Sequence, residues 1–114
     1  MSATFLSSIH LELRARARAL FSSIEPHGPI DDAQLKAEVA RLGFYPYLVP
    51  HAYGGALPKV DVLSICVLRE ELAYRNAAAD SLFAVQGLGS HPVLLAGTEA
   101  QKQDLLQKVA KGEV

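Results

Sequence analysis

The chain has 114 residues, a length that favours one domain with a sizeable buried core. Its formal net charge of −1 excludes an overall basic field for nucleic acid or anionic lipid, and no apolar run is long enough to span a bilayer. Half of the residues are hydrophobic and the mean hydropathy is slightly positive, so part of the apolar surface is expected to meet a partner.

The first segment carries apolar residues at helical spacing. Their recurrence every three or four residues predicts a helix from about Thr4 to Ser23 with one buried side. The residues on that side are Leu6, Ile9, Leu13, Ala17, Leu20 and Ile24. Arg14 and Arg18 lie one turn apart while Arg16 points elsewhere, a pattern more typical of a solvated rim than of a phosphate-binding site.

A second helix has a complete set of start signals. Asp31 is placed to cap it, Gln34 to complete a capping box, and Ile30 to pack against Leu35. Its apolar stripe consists of Leu35, Val39 and Leu42. Gly43 then predicts a left-handed end to the helix.

The middle of the chain predicts a long connection followed by a central helix. Residues 44–58 interleave tyrosines with prolines, and a loop of this length and composition is expected to be ordered against the helices. A third helix from about Val60 to Arg75 is apolar around more than half of its circumference, which predicts a central position. Cys66 lies on that surface and is expected to be a buried small hydrophobic residue rather than a nucleophile.

The next segment is rich in small residues. It predicts a break at Asn76, a helix to about Gly87, a Gly-Ser turn at residues 89–90 and a short apolar helix from Pro92. Small side chains allow another group to approach the helix closely. Such a helix is typical of close packing within a bundle, and it is also suited to lining a ligand-binding slot.

The last helix opens with a capping box formed by Thr98 and Gln101 and extends to Gly112. No stretch has the sustained two-residue alternation of a strand. The sequence therefore predicts a single all-α domain over residues 1–114. We expect an orthogonal or up-down bundle of about five to six helices with one long ordered loop rich in proline, tyrosine and glycine.

No reaction centre can be assigned from the residues. The histidines His10, His27, His51 and His91 are far apart and no pair has helical ligand spacing, so no metal site is expected. We assign no catalytic residue and no cofactor-binding residue. The single cysteine excludes an internal disulfide and favours a reducing compartment, so a cytoplasmic location is expected.

Four short motifs follow one another along the chain. They are residues 42–44 (LGF), 49–55 (VPHAYGG), 70–73 (EELA) and 94–102 (LLAGTEAQK). In order and spacing they resemble the N-terminal helical domain of the FAD-dependent acyl-CoA dehydrogenases. One departure is His51, where that family often has an acidic residue.

The resemblance implies a flavoenzyme that removes hydrogen from the α and β carbons of an acyl-CoA thioester, with FAD as cofactor. Members of the family continue into a β-sheet middle domain that holds much of the FAD, and into a C-terminal helical domain that supplies the catalytic glutamate. Residues 112–114 fall where the middle domain would begin. The remaining domains or subunits are therefore expected partners, and this chain alone is expected to bind no FAD, to be inactive and to self-associate.

In the family, the helix that follows Asn76 walls the far end of the acyl cavity. By resemblance, and because they share one side of that helix, Asp80, Ala84, Gly87 and Leu88 are the candidate acyl-chain contacts. A carboxylate facing an alkyl chain is costly, so Asp80 should have a donor beside it, face water or meet a polar tail. The alternative is ordinary bundle packing, in a non-catalytic helical module that mediates interaction or oligomerisation.

Overall fold

The fold is built from α-helices joined by short connections. This computed structural model describes residues 6–24 and 32–113. The helices in these residues are α1 (Ser8–Phe21), α2 (Asp32–Arg41), α3 (Val62–Arg75), α4 (Ala77–Ala96) and α5 (Glu99–Lys111). Two 3-10 turns, Tyr45–Leu48 and His51–Tyr53, lie between α2 and α3. The described residues contain no strand, only an isolated bridge between Pro50 and Leu57, and the all-α prediction is confirmed.

Side chains at the helix ends explain where the later helices begin. The Asp61 carboxylate accepts from the Ser64 backbone N–H and starts α3. Asn76 ends α3 and also starts α4, because its side chain accepts from the Ala79 N–H at 3.0 Å. The predicted break at this asparagine and the predicted capping box of α5 are both confirmed. Helix α1 begins at Ser8, and Leu6 and Ser7 are not helical, so the predicted start at about Thr4 is too early. The expected cap of the second helix lies outside the described residues.

Helix α3 lies at the centre, as predicted, since it packs against α1 on one side and α4 on the other. Helix α4 also contacts α2, α5 and the Tyr45–Leu48 turn. The core that these contacts bury includes Leu13, Ala17, Phe21, Leu68, Leu72, Phe83 and Leu106. The molecule is a slab of 40 × 38 × 17 Å, so each helix has core on one side and keeps another face open.

The buried side of α1 differs from the predicted stripe. Ile9 and Leu20 are 65% and 43% exposed, and Phe21 takes a central place in the core instead. The helix is turned toward its arginine edge because α3 presents a buried carboxylate there, Glu71. Arg18 donates to the two Glu71 oxygens at 2.7 and 3.0 Å. Arg14 is mostly buried near the same group, so the prediction of a solvated arginine rim is wrong for this residue.

Two residues of α3 also contradict the predicted apolar surface. Cys66 is exposed rather than buried, and Val62 is 68% exposed. Two polar residues share the buried side of α3 with Val67, Leu68 and Leu72. The Ser64 hydroxyl is buried and donates to Asp61 at 2.7 Å, and Glu71 is paired with Arg18. Hydrogen bonding removes most of the cost of burying these groups, so apolar character alone does not decide which face is inside.

Helix α4 is continuous, and the predicted turn at residues 89–90 with a new helix at Pro92 is wrong. Pro92 lies inside the helix, where it removes one backbone donor without ending the element. Packing holds both halves in place. Phe83 is buried in the first half, Ser90 is buried at the centre, and Val93 packs against the core in the second half. These tertiary contacts override the weak helix propensity of the local sequence.

The connection between α2 and α3 is ordered, as expected from its composition. Gly43 ends α2 with a positive φ of 78°, which confirms the predicted left-handed stop. Gly55 is required for another reason. A Cβ at this position would lie 1.7 Å from the Val49 carbonyl oxygen, so two backbone segments meet here at a distance that only glycine permits.

Candidate functional site

An apolar groove runs between α3 and α4 and has a volume of about 470 Å³. Its lining residues are Leu48, Val60, Val62, Ile65, Arg69, Phe83, Ala84, Gly87, Leu88, His91 and Pro92. Residues on α3 and α4 contribute most of these side chains at helical spacing, so one face of each helix forms a wall. The groove volume falls within the range of small-molecule binding pockets.

Small residues on α4 keep the groove open. Ala84 and Gly87 lie one turn apart on the wall, where longer side chains would fill the space. Gly87 also lets the neighbouring 3-10 turn approach, because a Cβ there would lie 3.3 Å from a terminal carbon of Leu48. Any larger residue at position 87 therefore pushes against Leu48 and narrows the groove.

The base of the groove is held by aromatic packing. Phe83 is buried, and its ring stacks on Tyr45 with centroids 5.7 Å apart and planes 8° from parallel. Burial raises the pKa of the Tyr45 hydroxyl, so this ring stays neutral at ordinary pH. The contact fixes the Tyr45–Leu48 turn against α4 and gives the groove a rigid apolar floor.

An ion pair lies at one end of the groove. Arg69 on α3 donates from Nε to Asp80 Oδ1 at 2.9 Å and from Nη2 to Asp80 Oδ2 at 3.0 Å. This hydrogen-bonded carboxylate raises the pKa of the Arg69 guanidinium, so the residue is a permanent cation. The Asp80 side chain is only 14% exposed, whereas that of Arg69 is 48% exposed and faces both the groove and solvent.

Three of the four residues predicted to contact an acyl chain meet at this groove. Ala84, Gly87 and Leu88 line it, whereas Asp80 lies behind Arg69 and does not. Asp80 has a donor beside it, which is one of the three alternatives expected from the cost of burying its charge. Their role as substrate contacts stays a prediction.

Sequence reasoning missed the α3 wall, above all Arg69. A signal for it was present, because Val62, Ile65 and Arg69 lie three and four residues apart and so share one face of α3. The break at Asn76 folds α4 back along α3, which brings a cation before the break near an anion after it. The pair could have been predicted by comparing the charged residues that face each other on the two helices before and after Asn76.

A histidine–carboxylate contact lies outside the groove and joins two helices. His10 Nε2 lies 2.6 Å from Asp61 Oδ2 and joins the start of α1 to the start of α3. Across residues 6–24 and 32–113, His, Cys, Asp and Glu side chains nowhere group in threes that could hold a metal ion. Among the described residues that line the groove there is no carboxylate.

Comparison with known proteins decides the family. Residues 8–113 match the family model described as "Acyl-CoA dehydrogenase, N-terminal domain". The chain belongs to the acyl-CoA dehydrogenase family. This confirms the resemblance noted in the four motifs, and the described residues correspond to the N-terminal domain of such enzymes.

Curated acyl-CoA dehydrogenases match most of this chain but are much longer. A probable acyl-CoA dehydrogenase of Mycobacterium leprae is 34% identical over 108 residues, which cover 89% of this chain and 27% of that protein. A probable acyl-CoA dehydrogenase of Mycobacterium tuberculosis is 32% identical over the same shares. One from Bacillus subtilis is 31% identical over 90 residues, 79% of this chain and 15% of that protein. This acyl-CoA dehydrogenase domain thus spans about a quarter of the length of its mycobacterial relatives.

Acyl-CoA dehydrogenases depend on FAD, and the groove of this domain does not fit that cofactor. Among the described lining residues only Arg69 and His91 carry polar side chains. A flavin diphosphate needs several donors directed at its oxygens. The hydrocarbon lining suits an alkyl chain instead. Within residues 6–24 and 32–113, no helix combines the length and the apolar character needed to span a membrane.

Proposed function

We propose that this chain works as the N-terminal domain of an FAD-dependent enzyme that introduces an α,β double bond into an acyl-CoA, and that its groove walls the far part of the acyl cavity. The observation that carries the proposal is the apolar groove between α3 and α4, kept open by Ala84 and Gly87. Hydrocarbon placed there leaves water and gains about 0.8 kcal/mol per buried methylene.

In this proposal the domain contributes shape and contacts with other domains, while FAD and the proton-abstracting base belong to other parts of the enzyme. The missing carboxylate in the described lining and the poor fit to FAD support that division. It follows that the chain alone neither binds FAD tightly nor dehydrogenates acyl-CoA. The remaining domains or subunits of the enzyme are the proposed partners. The cytoplasmic location stays a prediction based on the single cysteine.

The test is Ala84→Phe in an enzyme that joins this domain to the flavin-binding parts its relatives carry. Phenylalanine at position 84 fills part of the groove, so long acyl chains lose buried methylenes while short chains are unaffected. Each methylene denied burial lowers kcat/KM about fourfold. The measurement is kcat/KM over a series of acyl-CoA lengths, for wild type and variant.

Ala78→Phe is the matched control, because Ala78 is exposed on the same helix and does not line the groove. The control should keep the wild-type dependence on chain length. A uniform fall in kcat/KM at every length in Ala84→Phe would mean damaged packing, and the assignment of this groove to the acyl chain would be withdrawn.

A second candidate is a non-catalytic module that uses its open apolar face for assembly with itself or another protein. It is supported by Val85, Leu88 and Leu95, which are 58%, 74% and 71% exposed on α4. The enzyme proposal also leaves this face open for a neighbouring domain. A stable complex with a protein that carries no flavin would favour the module.

A further inference from the structure

The ion pair at one end of the groove has a chemistry unlike the rest of the lining. The groove is hydrocarbon along most of its length and meets the Arg69 guanidinium at the end nearest Asp80. The opposite end is formed by exposed residues, among them Leu88, His91 and Pro92. A chain that enters from that open end therefore points its far end at Arg69.

Arg69 keeps hydrogen-bonding capacity after pairing with Asp80. A guanidinium carries five N–H donors, and the pair uses one on Nε and one on Nη2. Since the Arg69 side chain is 48% exposed, water reaches the other donors. A terminal methyl pressed against them would displace that water and offer no acceptor in exchange, whereas an oxygen in the same place would replace it.

The charges at the Arg69 end of the groove determine which oxygen-containing groups can bind there. Arg69 and Asp80 form a neutral pair, and Asp80 already holds the cation in a bidentate contact. A carboxylate at the end of the chain would add a second negative charge close to Asp80 and be repelled. A hydroxyl or a carbonyl accepts a hydrogen bond without that repulsion.

We propose that this groove selects acyl chains whose far end carries an uncharged oxygen, a hydroxyl or a carbonyl, which accepts a hydrogen bond from Arg69. The inference rests on the proposed function, because it takes the groove as the acyl cavity. Arg69 is then a residue that determines substrate class, and Asp80 sets which charge that residue tolerates.

The experiment measures kcat/KM for three acyl-CoA thioesters of equal chain length. Each ester is named below by the group at the far end of its acyl chain, which is a methyl, a hydroxyl or a carboxylate. The experiment uses the assembled enzyme that contains this domain. For wild type, kcat/KM should be about tenfold higher for the ester that ends in a hydroxyl than for the one that ends in a methyl group. This factor is at the low end for a hydrogen bond to a charged donor, because Arg69 is half exposed. The carboxylate ester should fall below the hydroxyl ester.

Arg69→Met removes the donors and should abolish the advantage of the hydroxyl ester. Arg41→Met is the matched control, since Arg41 is an exposed arginine paired with Glu38 on α2 and does not line the groove. This control should keep the wild-type order of the three esters.

Asp80→Asn gives the sharper result. Asparagine keeps the shape and a hydrogen bond to Arg69 but leaves the cation without a countercharge, so the carboxylate ester should gain about tenfold over the hydroxyl ester. If the ion pair only stabilises the fold, both variants will change kcat/KM for all three esters by one common factor, and this result would overturn the inference. Equal kcat/KM for the three esters in wild type would overturn it as well and leave the proposed function standing. No turnover of any ester would overturn the proposed function together with the inference.

Discussion

The glycine at the crossing of two loop segments allows a quantitative prediction about stability. In Gly55→Ala the new Cβ would stand 1.7 Å from the Val49 oxygen and 2.7 Å from the Pro50 carbonyl carbon, and both obstacles are backbone. Val49 is 1% exposed and belongs to the core, so the other segment has to move. Displacing it by about 1 Å or more breaks local hydrogen bonds and overpacks the site.

The hydrogen bonds at risk set the size of the effect. They are Gly55 N to Pro50 O at 3.0 Å, Ala56 N to Pro46 O at 2.9 Å and His51 N to Leu57 O at 2.8 Å. At about 1 kcal/mol for each bond the loss is about 3 kcal/mol. A loss of that size lowers Tm by about 12 °C in a domain of this length.

Urea denaturation of the chain and its variant, followed by circular dichroism, measures this difference in the free energy of unfolding. Gly89→Ala is the control, because a Cβ at Gly89 meets nothing within 4 Å and the residue lies inside α4. Alanine there should raise stability by up to about 1 kcal/mol. Free energies within about 0.5 kcal/mol of wild type for Gly55→Ala would refute the close approach of the two segments.

Two further predictions concern charged groups. Hydrogen bonds from the Ser64 hydroxyl and from His10 lower the pKa of Asp61, so its ionised form stabilises the fold above the unfolded pKa of about 3.9, and this contribution is lost as pH falls through the lower folded value. The difference in unfolding free energy between wild type and Asp61→Asn should therefore shrink in urea titrations below about pH 4, and a constant difference down to strong acid would contradict the contact. Glu71→Gln should destabilise the chain by at least about 1 kcal/mol more than Glu70→Gln, because the Glu71 side chain is 6% exposed and that of Glu70 is 51% exposed. Equal losses in parallel denaturation curves would show that the buried carboxylate is no better paired than its neighbour.

The features that the sequence predicts well are those decided by neighbouring residues. Asn76 and Thr98 act through hydrogen bonds to backbone groups three residues away, so their side chains reveal the starts of α4 and α5. Gly43 likewise ends α2 through its own backbone conformation. The family motifs contain several of these local signals, which is why fold class and family could be recognised together.

The features that the sequence predicts poorly depend on distant partners. The rotation of α1 follows from Glu71, a carboxylate more than fifty positions away, and no pattern within α1 announces it. The continuity of α4 through Pro92 depends on packing at both ends of that helix. The candidate site is intermediate in how well the sequence predicts it. The α4 wall follows from the helical phase of Ala84 and Gly87, whereas the α3 wall can be assigned only once the packing of the two helices is known.

The sharing of Asn76 by two helices limits how the groove can change in evolution. With α3 ending at Arg75 and α4 starting at Ala77, no spare loop separates the two walls. One residue inserted between Asn76 and Ala84 would turn Ala84 by about 100° about the axis of α4 and carry its side chain away from α3. Insertions and deletions in that stretch therefore disrupt the wall and do not lengthen or shorten the groove. Substitution along the two facing helices is the route that stays open.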